Sequence, residues 1–252
     1  MMIRSIGWVI FFFLFLVMHS QCKSSDGQRK VIRVAAASNN ALVMRDLIAA
    51  WEEETGFKVD LITGSSGKIT AQIFSGAPYD VFVSADRKYL YDLQRKELIE
   101  DSISTIGYGQ LAYIWTEEDS DIEKLLSKAD HIAIANPEVA PYGKSALAYL
   151  SEYHSDDSLR AKMIYGENVA QVYQYVHSGA AELGITAVSL LLPDNRHEMN
   201  WSLLEEDYDL IEQSVGILSF SPLKERAEKF VSFLVSRKAS EILESYGYLP
   251  NS

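Results

Sequence analysis

Ser38 closes the apolar run VIRVAAAS, and Ser65 with Ser66 closes VDLITGSSG; each serine turn runs directly into a segment with helical spacing, ALVMRDLIAAWEEE and KITAQIFSG. A strand, a serine turn and a helix form an anion site that needs no cationic side chain. The first N–H groups of a helix have no intrahelical partner and carry the positive end of its dipole. Serine adds a hydroxyl donor there, and small neighbours let a ligand approach the backbone. A single serine turn is more often an ordinary helix cap. Two in consecutive βα units point to anion binding.

Other chemistry-bearing patterns fail on spacing. GSSGK resembles part of a phosphate-binding P-loop, but the required first glycine is Ile62 and Lys68 is followed by Ile69. A hydrolase elbow centred on Ser66 would need glycine where Lys68 stands. Asp80 and Asp86 bracket a strand and read as capping or salt-bridging groups. His131, His154, His177 and His197 are scattered without the spacing of a zinc site. No cofactor and no bare metal ion is expected, and no carboxylate pair or nucleophile with a base marks an enzyme.

Strand and helix patterns alternate along the chain. Strands are expected at 31–35, 58–62, 80–84, 110–115, 131–135, 182–186 and 211–218. Helices are expected at 41–54, 68–74, 87–95, 142–153 and 169–177, and two more close the chain near SYGYLP. Leu47, Ile48 and Trp51 share one face of the first helix. The alternation indicates an α/β protein with largely parallel sheets.

The formal net charge of −12 argues against nucleic acid, whose phosphates require clustered Lys and Arg. A buried site can still hold an anion against that field, because salt screens distant surface charge within about 8–10 Å. Residues 1–22 read as a signal peptide: Arg4 precedes the apolar run WVIFFFLFLV, which is short for a membrane span of about 20 residues. The rival reading is an uncleaved anchor. Residues 23–30 form a polar linker. Cys22 is the only cysteine; it marks either a lipid-attachment site or an ordinary cleavage region. No internal disulfide can form in the mature chain, so its stability must come from packing.

VAAAS, ITGSSGKITAQIFSGAPYDVFVSAD and IANPEVAPYGKSALAYL resemble the molybdate-binding subunits of bacterial ABC importers. The likeness continues through ENVAQVYQYVHSGAAELGIT to SYGYLP and covers nearly the whole mature chain. It implies a type II periplasmic-binding-protein fold of two α/β lobes, each a mostly parallel sheet flanked by helices. The first lobe would be 31–110 with 214–252, and the second 111–213. The ligand positions of that family fall on Ser38, Ser66, Tyr142 and Val169, the last two at helix starts on the second lobe. The implied function is capture of molybdate, and tungstate of similar size, outside the cytoplasm by a monomer that passes it to a membrane permease. The alternatives are a receptor for another oxyanion such as sulfate, or an enzyme on the same scaffold.

One departure stands out. Many members of that family carry a tyrosine shortly after the LGI strand, where this chain has Ala187. The Tyr142 hydroxyl, from the other wall, is the expected replacement donor; the alternative is a packing tyrosine.

Overall fold

VIRVAAA forms β1 (Val31–Ala37), the centre of a parallel trio with β2 (Lys58–Gly64) and β3 (Val81–Ser84). β3 is buried along its whole length, which is why it reads as an unbroken apolar run rather than an alternation. Between these strands run α1 (Val43–Thr55) and α2 (Ser66–Phe74), and α3 (Arg87–Gln94) follows β3. The computed structural model describes residues 31–100, 102–118, 120–153, 157–192, 199–204 and 208–251. The expected signal peptide, Cys22, the linker, His154 and His197 lie outside them.

β4 (Ser104–Gly109) ends at Gln110, where the chain leaves this sheet and enters a second one with β5 (Leu111–Trp115). α4 (Ile122–Lys128), β6 (Ile132–Ala135), α5 (Pro141–Tyr153), α6 (Asp157–Lys162), β7 (Met163–Gly166), α7 (Val169–His177), β8 (Leu183–Ala187) and β9 (Asn200–Leu203) complete that half. The chain then returns to the first sheet as β10 (Ile211–Ile217), before α8 (Lys224–Leu234) and α9 (Arg237–Ser245).

The two sheets share one plan. Their orders are β2-β1-β3-β10-β4 and β7-β6-β8-β5-β9. In each, three strands run parallel, and the strand entered from the other sheet, β10 or β5, lies antiparallel between its neighbours. Four of the five strands in each sheet therefore run the same way, as expected of mostly parallel sheets, and only the arriving strand opposes them. Ile211, Glu212 and Gln213 pair with Gly109, Tyr108 and Gly107, so the return to the first sheet comes before Ser214, where it was expected. A bulge between Gln213 and Ser214 breaks the pattern there.

Each sheet carries its own core. α1 presents Val43, Met44, Leu47 and Trp51 to the first sheet, and Trp51 meets Phe230 of α8 edge-on at 5.1 Å. The second core gathers Ile114, Ile132, Ile134, Leu150, Val172 and Ile185. Both cores hold strand ends rigid, and rigid strand ends place the serine turns.

Candidate anion-binding site

In open α/β sheets ligands bind beyond the carboxyl ends of parallel strands. β1 ends at Ala37, and Ser38 opens a buried 3₁₀ turn, Ser38–Asn40. β2 ends at Gly64, and Ser65 and Ser66 follow as N-cap and first residue of α2. The Ser66 hydroxyl accepts the Ala85 N–H (3.2 Å), so its own proton remains available to an acceptor. The Ser65 hydroxyl is buried and has no hydrogen-bond partner.

The opposite wall offers backbone. Beyond β6 a tight turn, held by Ala140 N–H donating to the Asn136 carbonyl (2.9 Å), delivers Pro141 as the first residue of α5. Proline is suited to that position, having no N–H to leave unpaired, and the Tyr142 N–H that follows has no intrahelical partner. At α7, Asn168 accepts from Ala170 (3.0 Å) and Gln171 (3.2 Å), leaving the Val169 N–H as the amide its side chain does not take. Thr186 of β8 fixes this terminus by donating its hydroxyl to the Val169 carbonyl (3.0 Å).

These termini surround one small cleft, lined by Ala37, Ser38, Asn39, Ser65, Ser66, Ala85, Ala140, Pro141, Tyr142 and Val169. Among the described residues, no charged side chain lines it. A wider groove shares Ala85 and Pro141 but carries Asp86, Glu152, Asp209 and Glu212 against Lys144. Its excess of carboxylates repels anions, which makes the smaller cleft the candidate anion site.

The two halves touch around the cleft. Gly67 donates its N–H to the Val139 carbonyl (2.9 Å), and Lys68 pairs with Glu167 (2.6 Å). A Cβ at 67 would lie 2.9 Å from the Val139 Cα. Beneath, Asn39 donates to Gln213 (2.8 Å) and Tyr248 (3.0 Å), Tyr248 donates to Asn40 (2.8 Å), and Ser189 donates to the Asn39 carbonyl (2.8 Å). The Tyr142 hydroxyl is directed at Gly109, where a Cβ would overlap it. It makes no hydrogen bond of ordinary geometry, although the Asn39 side chain lies near enough to favour the phenolate. Burial dominates and pushes the phenol well above its ordinary value, with the nearby Tyr248 and Tyr208 acting in the same direction. The group is a neutral hydroxyl at physiological pH.

The family model for bacterial extracellular solute-binding proteins matches residues 32–249. The chain belongs to that family. The molybdate-binding protein ModA of Azotobacter vinelandii is 31% identical over 229 residues, covering 88% of this chain and 90% of the relative. ModA of Rhodobacter capsulatus is 27% identical over 246 residues, 94% of each chain. The solved structure of the Azotobacter vinelandii periplasmic molybdate-binding protein superposes with a TM-score of 0.80 at 29% identity, covering 88% of this chain and all of that one. The two-sheet architecture is thus that of periplasmic binding proteins.

In this solute-binding protein Ser38, Ser66, Tyr142 and Val169 all line the same cleft, although they come from both sheets. Ala187 is buried at the end of β8 and is not among the residues lining it. Asp86 caps α3 by accepting the Lys88 N–H (2.8 Å). Buried Asp80 accepts from the Arg33 N–H (2.7 Å) and the Ser221 hydroxyl (2.6 Å), and neither aspartate lines the cleft. No group of three or more His, Cys, Asp or Glu side chains suited to a metal ion occurs among the described residues. Missed in the sequence were Asn39 in the cleft wall and the Gly67–Val139 contact. Asn168 was legible as an asparagine directly before an amphipathic run.

Proposed function

We propose that the protein captures molybdate, and tungstate of nearly equal size, between its two halves outside the cytoplasm and hands it to an ABC permease. The observation that carries this is the cleft itself: hydroxyls and helix-start amides from both sheets surround it, and no charged side chain lines it among the described residues. Molybdate at neutral pH is an unprotonated tetrahedral dianion offering only acceptors. Each hydrogen bond to such a charged acceptor contributes roughly 1.5–3 kcal/mol. Five to seven of them, about what these termini and hydroxyls can present, offset desolvation and closure and leave micromolar or tighter affinity.

The same donors select among anions. Phosphate retains a proton near neutrality and needs an acceptor, which a site built of donors does not provide. Sulfate is too small to reach every donor of a cleft shaped for the larger ion. The Tyr142 phenol, kept neutral by burial, serves as one donor in place of the tyrosine replaced by Ala187. The protein acts as a receptor rather than an enzyme, since the lining serines lack a histidine or carboxylate base. The leader residues support export by a signal peptide, with Cys22 either a point of lipid attachment or part of an ordinary cleavage region, and the receptor is taken as a monomer.

Calorimetry with molybdate, tungstate, sulfate and phosphate tests the proposal. Molybdate and tungstate should bind comparably, and sulfate and phosphate much more weakly. Tighter binding of sulfate than molybdate would instead make the protein a sulfate receptor.

A further inference from the structure

We infer that Ser65 is a ligand-binding residue in its own right, donating its hydroxyl to the bound oxyanion beside Ser66. The inference rests on the proposed oxyanion reading of the cleft and adds a residue to it.

Ser65 occupies the N-cap of α2 with extended backbone angles (φ −71°, ψ 146°), the geometry from which serine normally accepts the second or third amide of its helix. It accepts neither. The second amide, that of Gly67, is committed to the Val139 carbonyl across the cleft. Asp86, Asp121, Asn168 and Ser236 do accept from the helices they precede. The Ser65 hydroxyl therefore contributes nothing to holding α2 together.

Nor does it face solvent. Ser65 is 2% exposed, and its oxygen has no partner. A buried hydroxyl without a partner is costly, and native structures contain few. This one belongs to a residue that lines the cleft, next to Ser66, whose oxygen already serves the Ala85 N–H. An ion offering only acceptors satisfies both hydroxyls, with Ser65 and Ser66 each giving a proton to it. Ser65 is thus a cleft residue whose hydroxyl finds its partner in the ligand.

The sign of the effect on stability distinguishes this role from capping. In Ser65→Ala the ligand-free protein loses no hydrogen bond, so its melting temperature should stay the same or rise. Its molybdate Kd, measured by calorimetry with sodium molybdate, should rise about 10- to 100-fold, the share of one hydrogen bond to a charged acceptor. Ser65→Gly, which conserves N-cap preference to within a few tenths of a kcal/mol, should lose affinity to the same extent. An unchanged Kd in both variants, or a lower melting temperature of ligand-free Ser65→Ala, overturns the assignment. If the unmodified protein binds none of the four anions, the oxyanion reading falls and takes the inference with it. If the unmodified protein binds molybdate and only the variants fail to weaken it, the reading stands and the inference alone is lost.

Discussion

At the start of α7 the side chain of Asn168 takes two amides of its own helix, whereas at the start of α2 the side chain of Ser65 takes none and the Gly67 amide is bonded to the opposite half. Both helices aim N–H groups into one cleft, but they are held differently. The α7 terminus is completed within its own half, by Asn168 and by Thr186. The α2 terminus is held by Ala85 within its own half, but its Gly67 amide is satisfied where the halves meet. On the proposed capture between the two halves, one wall is ready before closure and the other is finished by it, which would give the ligand a differential grip on the closed form.

Substitutions can break that contrast from either side. The largest effect is expected in Ser66→Ala, which removes a donor to the ion and strands the buried Ala85 N–H. Its molybdate Kd should rise about 10- to 100-fold, and the ligand-free protein should lose about 1–3 kcal/mol of stability in urea denaturation. Loss of affinity with no loss of stability would show that the Ala85 bond is unimportant. Gly67→Ala should come next, since its Cβ would crowd Val139 backbone atoms at 2.9 and 3.0 Å that no side-chain rotation can move. Overpacking of this kind costs about 1–3 kcal/mol, here in the closed form alone. Stopped-flow should find faster molybdate release with an unchanged melting temperature of the free protein; a large fall in that temperature would place the contact in the basic fold rather than in closure.

Asn168→Ala sharpens the comparison in the opposite sense. Losing the cap should destabilise the ligand-free protein by about 0.5–2 kcal/mol, with a smaller change in affinity because the Val169 N–H remains. A variant as stable as the parent would remove the distinction between the two walls. The smallest effect is that of pH. Burial raises the pKa of Tyr142 and Tyr248, so both stay neutral when an unfolded tyrosine ionises near 10.0. Their contribution to stability is fully present below that pH and is lost as pH rises past it. Affinity and stability tied to these phenols should be flat from pH 7 to 9, and stability should fall at pH 11. A decline in affinity already at pH 8 would assign a different titrating group to the cleft.

The elements that hold these walls were legible to different degrees. Buried central strands such as β3 and β6 announce themselves as short apolar runs, and the amphipathic helices do so through their spacing. β4, β7 and β9 were not read as strands. All three lie at sheet edges, where STIGYG, MIYG and NWSL are short, partly exposed or interrupted by glycine. At the site, Ser38 and Ser66 followed from the residues themselves. The amides of Tyr142 and Val169 are ones that any residue supplies, so only the likeness to a family marked these positions. The Gly67–Val139 contact depends on how two distant segments meet, and no local pattern encodes it. The same is true of Gly109, whose missing side chain leaves room for a phenol from the other sheet.

The floor of the cleft is joined by Tyr248 to Asn39 and Asn40, partners 209 and 208 positions away along the polypeptide. Contacts of such long range are among the costliest in loop entropy. The cleft floor therefore draws on both ends of the described polypeptide, and shortening the chain before Tyr248 would open it from beneath.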